Sequence, residues 1–296
     1  MAPLEETLAS WTKPSSDTEQ EKQERTERMI REAVKNHGAF RGCDLRVYTK
    51  GSYANNTNVR TDSDVDVAVQ CRECFYWDAE SPSAHTSPGP YKGTWTPEKL
   101  RSELAAAMRK KFPGQVDTKG STAMRIHSGT ARIDADVVPC FTCKYYFNSG
   151  TVREGAKTFK TSGGTLVNYP DQHLAEGRRK NENTKRYFKQ AVRIMKRVEN
   201  AMVEKGLHRE VPSYFVECLI YNCPDDIFMK STWEATVRVI IVHIWNELDG
   251  AEPTMPGGRW LEVNRCKWLF SDDQKWSRQD GREFAKAAWN YLGFTS

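Results

Sequence analysis

No hydrophobic run in the chain approaches the length of a membrane span, and its acidic, polar start is not a signal peptide. Neither a membrane protein nor a secreted one is expected. Eight cysteines without a leader then read as reduced thiols, which implies a cytoplasmic protein. The six histidines are scattered, and none stands at metal-ligand spacing from a partner. His127 and His243 lie in apolar-periodic segments and read as core. No nucleophile-elbow pattern occurs, although that alone does not exclude a Ser/His/Asp triad. No internal repeat is apparent. Net charge is also small: the formal +5 suits a polyanionic small molecule or a nucleic-acid activator and decides between neither. What is present is core material. With 296 residues, 38% of them hydrophobic, and nine tryptophans, the chain is one large domain or two closely packed lobes.

Residues 50–70 organise the rest. Val65, Val67 and Val69 alternate with Asp64, Asp66 and Ala68, the period of a strand with one face in a core. Asp64 and Asp66 therefore share the other face. Two carboxylates ~4 Å apart repel by about 4 kcal/mol at an effective dielectric near 20. A fold tolerates that when one carboxyl protonates or a divalent cation neutralises the pair. Upstream, Gly51-Ser52 follows the apolar alternation of Leu45, Val47 and Thr49. A Gly-Ser turn after a strand can present N–H groups and a hydroxyl to a phosphate. A lone Asp-x-Asp is usually a pair of solvated loop carboxylates; the Gly-Ser turn and the valines shift the balance toward metal-assisted nucleotide chemistry. A third carboxylate should come from a neighbouring strand. Residues 131–141 supply Asp134 and Asp136 on one face, with Ile133, Ala135 and Val137 on the other.

Gly51-Ser52, Asp64-x-Asp66 and Asp136-Val-Val-Pro together resemble the polymerase-β-type nucleotidyltransferases. Within these the chain is most similar to the CD-NTases, the bacterial relatives of cyclic GMP-AMP synthase and oligoadenylate synthase. The resemblance runs from about residue 16 to the C-terminus, without the zinc insertion of the eukaryotic synthase. It implies an α/β fold of the α+β kind: a mixed sheet in a catalytic lobe (16–183), a helical lobe (184–296), and an active site in the cleft of one compact two-lobed unit. It further implies two Mg²⁺ ions, or Mn²⁺ in their place, held by Asp64 and Asp66, the catalytic one also by Asp136. The substrates would be NTPs, ATP or UTP among them. The product would be a cyclic dinucleotide, or a short cyclic oligonucleotide, released with pyrophosphate and sensed by an effector protein in bacterial anti-phage signalling. Whether a nucleic-acid activator is needed stays open.

Along the chain, residues 1–15 read as loose, and Ser16-x-x-Glu19 opens a helix that Gly38 should close. Residues 75–96 carry prolines, glycines and serines and read as a loop. Thr96-Pro97 then caps a helix ending near Gly114, with Leu100, Leu104, Ala107 and Met108 as its buried stripe. Residues 122–127 and 131–138 read as strands joined at Ser128-Gly129-Thr130, and 148–183 as a long connection. Helices are expected at 185–203, at about 213–223, at 232–248 after Ser231-x-x-Glu234, and at 272–292 after Ser271-x-x-Gln274. The first of these has apolar residues on more than one face, so it should be buried on two sides.

On that helix Lys189, Arg193 and Lys196 share a face, as a solvated basic stripe or as a clamp on triphosphate charge. The resemblance matches Lys196 to the family's triphosphate-contacting lysine. Ser213 and Tyr214 read on their own as an N-cap and a core residue; the resemblance makes them a phosphate contact and a base-stacking ring. Asn168 offers both a donor and an acceptor to a base edge, or simply serves the turn before Tyr169-Pro170. Asn168-Tyr169-Pro170 resembles the pyrimidine-using clade, which predicts UTP in at least one position. Cys71-x-x-Cys74 and Cys140-x-x-Cys143 follow Asp66 and Asp136 closely, so parallel strands would let four thiolates meet in a structural zinc site. Four reduced thiols, small and semi-apolar, filling space beside Phe75 and Phe141 are the preferred reading, and zinc is not counted among the metal sites. The rival functions are an RNA-tailing or protein-adenylylating transferase and a nucleotide sensor without turnover. Label entering a macromolecule would mark the first; the intact carboxylate set argues against the second.

Overall fold

The computed structural model describes residues 3–14, 16–59, 64–78 and 93–294. The chain begins with α1 (Leu4–Ser10) and α2 (Asp17–Lys35). Ser16 caps α2 by accepting the Glu19 N–H at 3.3 Å, as its spacing predicts. The helix closes at Asn36, two residues before Gly38. β1 (Leu45–Lys50) leads into one turn of helix, α3 (Gly51–Ala54), and then β2 (Val65–Trp77). α4 (Pro97–Lys111) follows, its Thr96 hydroxyl accepting the Lys99 N–H at 3.2 Å. Next come β3 (Val116–Asp117), β4 (Met124–Ile126), β5 (Ala135–Tyr146), β6 (Val152–Phe159) and β7 (Thr165–Asn168). The remainder is helical: α5 (Pro170–Asn183), α6 (Tyr187–Glu204), α7 (Ser213–Tyr221), α8 (Trp233–Glu247) and α9 (Arg278–Tyr291).

The strands form one mixed sheet in the order β1-β2-β5-β4-β3, with β6 pairing β5 and β7. β2 and β5 are parallel, as the crossover through α4 requires. Val65, Val67 and Val69 are fully buried in a core built with Ile30 of α2, Leu100, Leu104 and Met108 of α4, and Val137 and Phe141 of β5. Each such side chain contributes about 1.5–3 kcal/mol of burial. Their strand neighbours Asp64 and Asp66 stay half-buried on the opposite face.

The chain divides into a helical unit (Met1–Pro14, Ala54–Val59, Asp171–Ser296) and a sheet unit (Ser15–Tyr53, Arg60–Pro170). Two short segments thus join the helical unit, and its main boundary falls at 170/171 rather than 183/184. Residues 3–14, expected to be loose, are held in place. Leu8 is fully buried with Phe188, Val237 and Ile241 in the helical core. Glu5 caps α8 by accepting the N–H groups of Trp233 and Glu234 at 2.9 and 2.7 Å. Arg193 donates to the Thr12 carbonyl at 2.6 Å and Arg197 to that of Lys13 at 3.0 Å.

Residues 148–183, expected as a connection, instead form β6, β7 and α5. The buried positions of β6 include Gly155, Ala156 and Thr158, and those of α5 are His173 and Gly177, so neither shows an apolar period. Phe75 to Trp77 continue β2 where a loop was expected; most of the rest of that loop, 79–92, lies outside the described residues. Two caps also move. Thr232, not Ser231, caps α8 through the Ala235 N–H, and α9 starts at a Ser277–Asp280 capping box rather than after Ser271. Among the described residues no helix is long and apolar enough to cross a membrane.

Candidate active site

The register of the sheet sets the carboxylates. Asp66 lies directly opposite Asp136 on the parallel pair β2/β5, and Val65 opposite Ala135, so Asp64 and Asp134 immediately precede the two strands. The flanking strands each bring a cation. Lys50 of β1 is opposite Asp66, and its ammonium reaches the carboxylate at 3.1 Å. Arg125 of β4 is opposite Asp136, yet its guanidinium donates to Asp64 at 3.0 Å and to Asp134 at 2.8 Å. Asp134 also accepts the Ser128 N–H. Burial acts against its ionisation, but the Arg125 and Ser128 donors hold its carboxyl below the usual range.

Asp136 has no such donor among the described residues. Burial, then the charges of Asp64 and Asp66, push its carboxyl up. Asp64 is pushed up too, by burial first, with Arg125 opposing and Asp134 and Asp66 adding. A proton or a cation relieves this arrangement, and Asp136, not the occupied Asp134, is the carboxylate left over.

Gly51 brings backbone against the same edge. Its φ of +73° favours glycine, and a Cβ there would lie 2.7 Å from Asp66 Oδ2, so any other residue would also push on that carboxylate. Ser52 follows in α3, half-buried. These groups fit a divalent cation by chemistry: hard oxygen donors, like charges in excess, and a backbone approach only glycine permits. Among the described residues, however, no group of three or more His, Cys, Asp or Glu side chains is already arranged to hold one.

The thiols do not converge. Cys71 is opposite Phe141 and Cys140 opposite Gln70, so the two sulfurs face opposite sides of the sheet. Cys71 joins the main sheet core, while Cys140 packs with Tyr48, Ala68 and Ala156. Burial pushes Cys74 and Cys140 up to about 12 and Cys143 up to about 11, so all three stay protonated. The four-thiolate zinc site is excluded by register.

In the helical unit the expected basic stripe turns inward. Lys196 is 2% exposed, its ammonium 2.8 Å from Glu217 and 3.2 Å from the Thr57 hydroxyl. Arg193 is buried on the carbonyls of Thr12 and Asn56. Lys189 is the member whose ammonium makes no hydrogen bond or ion pair with a described residue; burial, Arg178 and Arg193 lower its pKa against Glu217 and Glu182.

Glu217, which sequence reasoning missed, is the hub. Its Oε1 accepts from Asn55 at 2.6 Å and faces His173 at 2.8 Å, and its Oε2 accepts from Thr57 at 2.6 Å besides Lys196. A signal existed: one carboxylate inside Phe215-Val-Glu-Cys-Leu-Ile-Tyr221 must find partners if the run is buried.

Ser213 opens α7 exposed and caps nothing with its side chain. Tyr214 beside it is half-buried. Its hydroxyl is 3.2 Å from Glu262 and 3.2 Å from the Asn264 amide, and its ring meets His173 edge-on at 5.2 Å. Asn168 ends β7, and no described residue hydrogen-bonds its amide. Its backbone is fixed tightly: a Cβ on Gly155 would meet the Asn168 carbonyl at 2.7 Å and the Tyr169 ring at 2.9 Å.

Parallel strands that set carboxylates in register beside a glycine turn, in a chain with a helical C-terminal region, agree with the resemblance to the polymerase-β-type nucleotidyltransferases. Residues 175–293 match the C-terminal helical domain of cGAS/DncV-like nucleotidyltransferases. Over 294 residues the chain is 35% identical to the cyclic dipyrimidine nucleotide synthase CdnE of Legionella pneumophila, covering 97% of each. It is 33% identical to the cyclic dipurine nucleotide synthase of Elizabethkingia meningoseptica, covering 98% of each. The solved structure of Rhodothermus marinus CdnE c-UMP-AMP synthase with Apcpp and Upnpp superposes with a TM-score of 0.84 at 27% identity, covering 100% of this chain and 99% of that one. The chain belongs to the CD-NTase family of cyclic nucleotide synthases.

Proposed function

We propose that the protein joins two nucleoside triphosphates into a cyclic dinucleotide, with UTP used in at least one position. A ribose hydroxyl of one nucleotide attacks the α-phosphorus of the other, and pyrophosphate departs as the new phosphodiester forms. A second transfer within the linear product closes the ring and releases a second pyrophosphate. The observation carrying this reading is Asp66 and Asp136 in register on parallel strands, with Gly51 against Asp66.

Asp64, Asp66 and Asp136 would hold two Mg²⁺ ions, or Mn²⁺. Bound there, the ions supply Lewis acidity toward the attacking hydroxyl and charge neutralisation on the triphosphate. Gly51 lets the backbone approach, and Ser52 offers a hydroxyl to phosphate oxygens. In the helical unit we assign triphosphate charge to Lys189, whose ammonium makes no hydrogen bond or ion pair with a described residue. Lys196 is committed to Glu217 and Thr57. Ser213 contacts phosphate, and Tyr214, its hydroxyl tethered, presents its ring to a base.

For the base we assign Asn168, since no described residue hydrogen-bonds its amide and its carbonyl packs close against Gly155. One relative is named a cyclic dipyrimidine and another a cyclic dipurine nucleotide synthase, so membership of the family does not itself fix the bases. A ring has no terminal phosphate and survives phosphatases, which suits a messenger to an effector protein. We assign that signalling to bacterial anti-phage defence in the cytoplasm. Incubation with all four NTPs and Mg²⁺, then phosphatase and mass spectrometry, should yield a resistant uridine-containing ring. Label entering only macromolecules or phosphatase-sensitive chains overturns the synthase reading; rings of purines alone overturn the assignment of UTP.

A further inference from the structure

We propose that Arg125 is the resident counter-cation of Asp64, and that a divalent ion must displace it to enter the carboxylate edge. The proposal rests on the reading of Asp64, Asp66 and Asp136 as metal ligands. Arg125 stands opposite Asp136 on β4 but does not turn to it; its guanidinium spans Asp64 at 3.0 Å and Asp134 at 2.8 Å. The Arg125 side chain is 47% exposed, so it can leave Asp64 at little cost in desolvation. Asp134 is the anchor. It is fixed from its other oxygen by the Ser128 N–H, and it takes two donors of Arg125, Nε as well as Nη2. When Asp64 is taken by a metal, the guanidinium stays on Asp134 and keeps its place on the sheet.

This gives Asp134 a role other than metal ligation and explains why four carboxylates stand where three are needed. Lys50 holds Asp66 from the opposite strand in the same way, at 3.1 Å. A metal-free edge neutralised by its own side chains stays folded. It also binds the ion more weakly than bare carboxylates would, since each ion pair must first be broken. Arg125 is a positioning residue here: it sets where Asp64 lies and what it costs to recruit it.

The test uses the nucleotide-free full chain and Mn²⁺ alone, with free Mn²⁺ followed by electron paramagnetic resonance. An exposed pair is worth up to about 1 kcal/mol, so Arg125→Gln should bind Mn²⁺ roughly fivefold more tightly than the unaltered protein. Thermal melts supply a readout that a merely structural role does not move. Without metal, Arg125→Gln should melt below the unaltered protein, and at saturating Mn²⁺ that gap should close or reverse. Arg125→Lys keeps the charge but cannot span both carboxylates; it should shift affinity the same way by less, and it replaces the glutamine variant if that fails to fold. Equal or weaker Mn²⁺ binding in the folded variant, or an equal melting gap with and without metal, overturns the proposal. Absence of Mn²⁺ binding by the unaltered protein overturns the metal-ligand reading itself, and the proposal with it.

Discussion

Two groups of charges, one in each unit, show how environment divides carboxylates between structure and chemistry. Glu217 in the helical unit is 1% exposed and has a donor or cation at each oxygen: Asn55 and His173 on one, Thr57 and Lys196 on the other. Burial alone would push its carboxyl up, but Lys196 and His173 hold it well below the usual range. The edge of the sheet unit is the opposite case. Asp64 and Asp136 are less buried, have fewer donors, and are pushed up by burial and by neighbouring carboxylates, Asp134 and Asp66 for the first and Asp64 and Asp66 for the second. The deeper charge is the satisfied one. What marks a carboxylate for reaction is therefore not depth but an unfilled set of partners.

Removing carboxylates from the unsatisfied edge should produce the largest effect, on activity and not on folding. Asp66→Asn or Asp136→Asn is expected to abolish product formation by mass spectrometry, while chemical denaturation of Asp136→Asn shows stability unchanged or slightly raised as repulsion is relieved. Asp134→Asn should retain activity; a dead Asp134→Asn beside an active Asp136→Asn would reverse their assignments.

The same change at the satisfied cluster should act on stability. Glu217→Gln leaves Lys196 buried without its counter-charge and should cost about 3–5 kcal/mol in urea denaturation. A loss under 1 kcal/mol would mean the cluster relaxes or admits water, and the contrast with the sheet edge would collapse.

Gly51→Ala touches the edge without altering its charge. The strained φ and the approach to Asp66 Oδ2 should lower stability by about 1–2 kcal/mol, with a larger fall in kcat than in substrate binding.

The smallest effect, and the most direct test of the contrast, is in pH. A carboxyl raised by folding contributes stability that is present below its unfolded pKa and lost as pH rises through its folded value. Asp136→Asn should therefore melt above the unaltered protein at pH 7, and this gap should vanish below about pH 4. Glu217 is lowered, so its contribution is present above its unfolded pKa and lost as pH falls toward its folded one; Glu217→Gln should show a weaker acid dependence.

These sites were unequally legible from the residues alone. The alternation at 64–69 gives β2, its buried valines and the shared face of Asp64 and Asp66, because a period of two maps directly onto a sheet with one face in a core. Ser16 and Thr96 mark helix starts because a cap is a contact over three residues. Asn55, Thr57, His173 and Glu217 lie up to 162 positions apart and meet only after folding. Lys196 shows the limit of local spacing. Its position on a helix face is readable, but which way that face points depends on Glu217 and Thr57. α1 carried a faint signal in Leu4 and Leu8, outweighed by Pro3, Pro14 and the serines around them. α5 was hidden because its buried positions are a histidine and a glycine, the latter small enough to admit the Asn55 amide 2.6 Å from where a Cβ would sit.

The distribution of sulfur turns the molecule into its own clock for opening. Cys71, Cys74, Cys140 and Cys143 are buried in the sheet unit and Cys218 and Cys223 in the helical unit, while Cys43 and Cys266, one in each, are partly accessible. A maleimide dye should label the accessible pair first and the buried six only as their surroundings open. Peptide mapping of the later adducts would assign each event to a unit, so that the order in which the two halves breathe can be read without introducing any mutation.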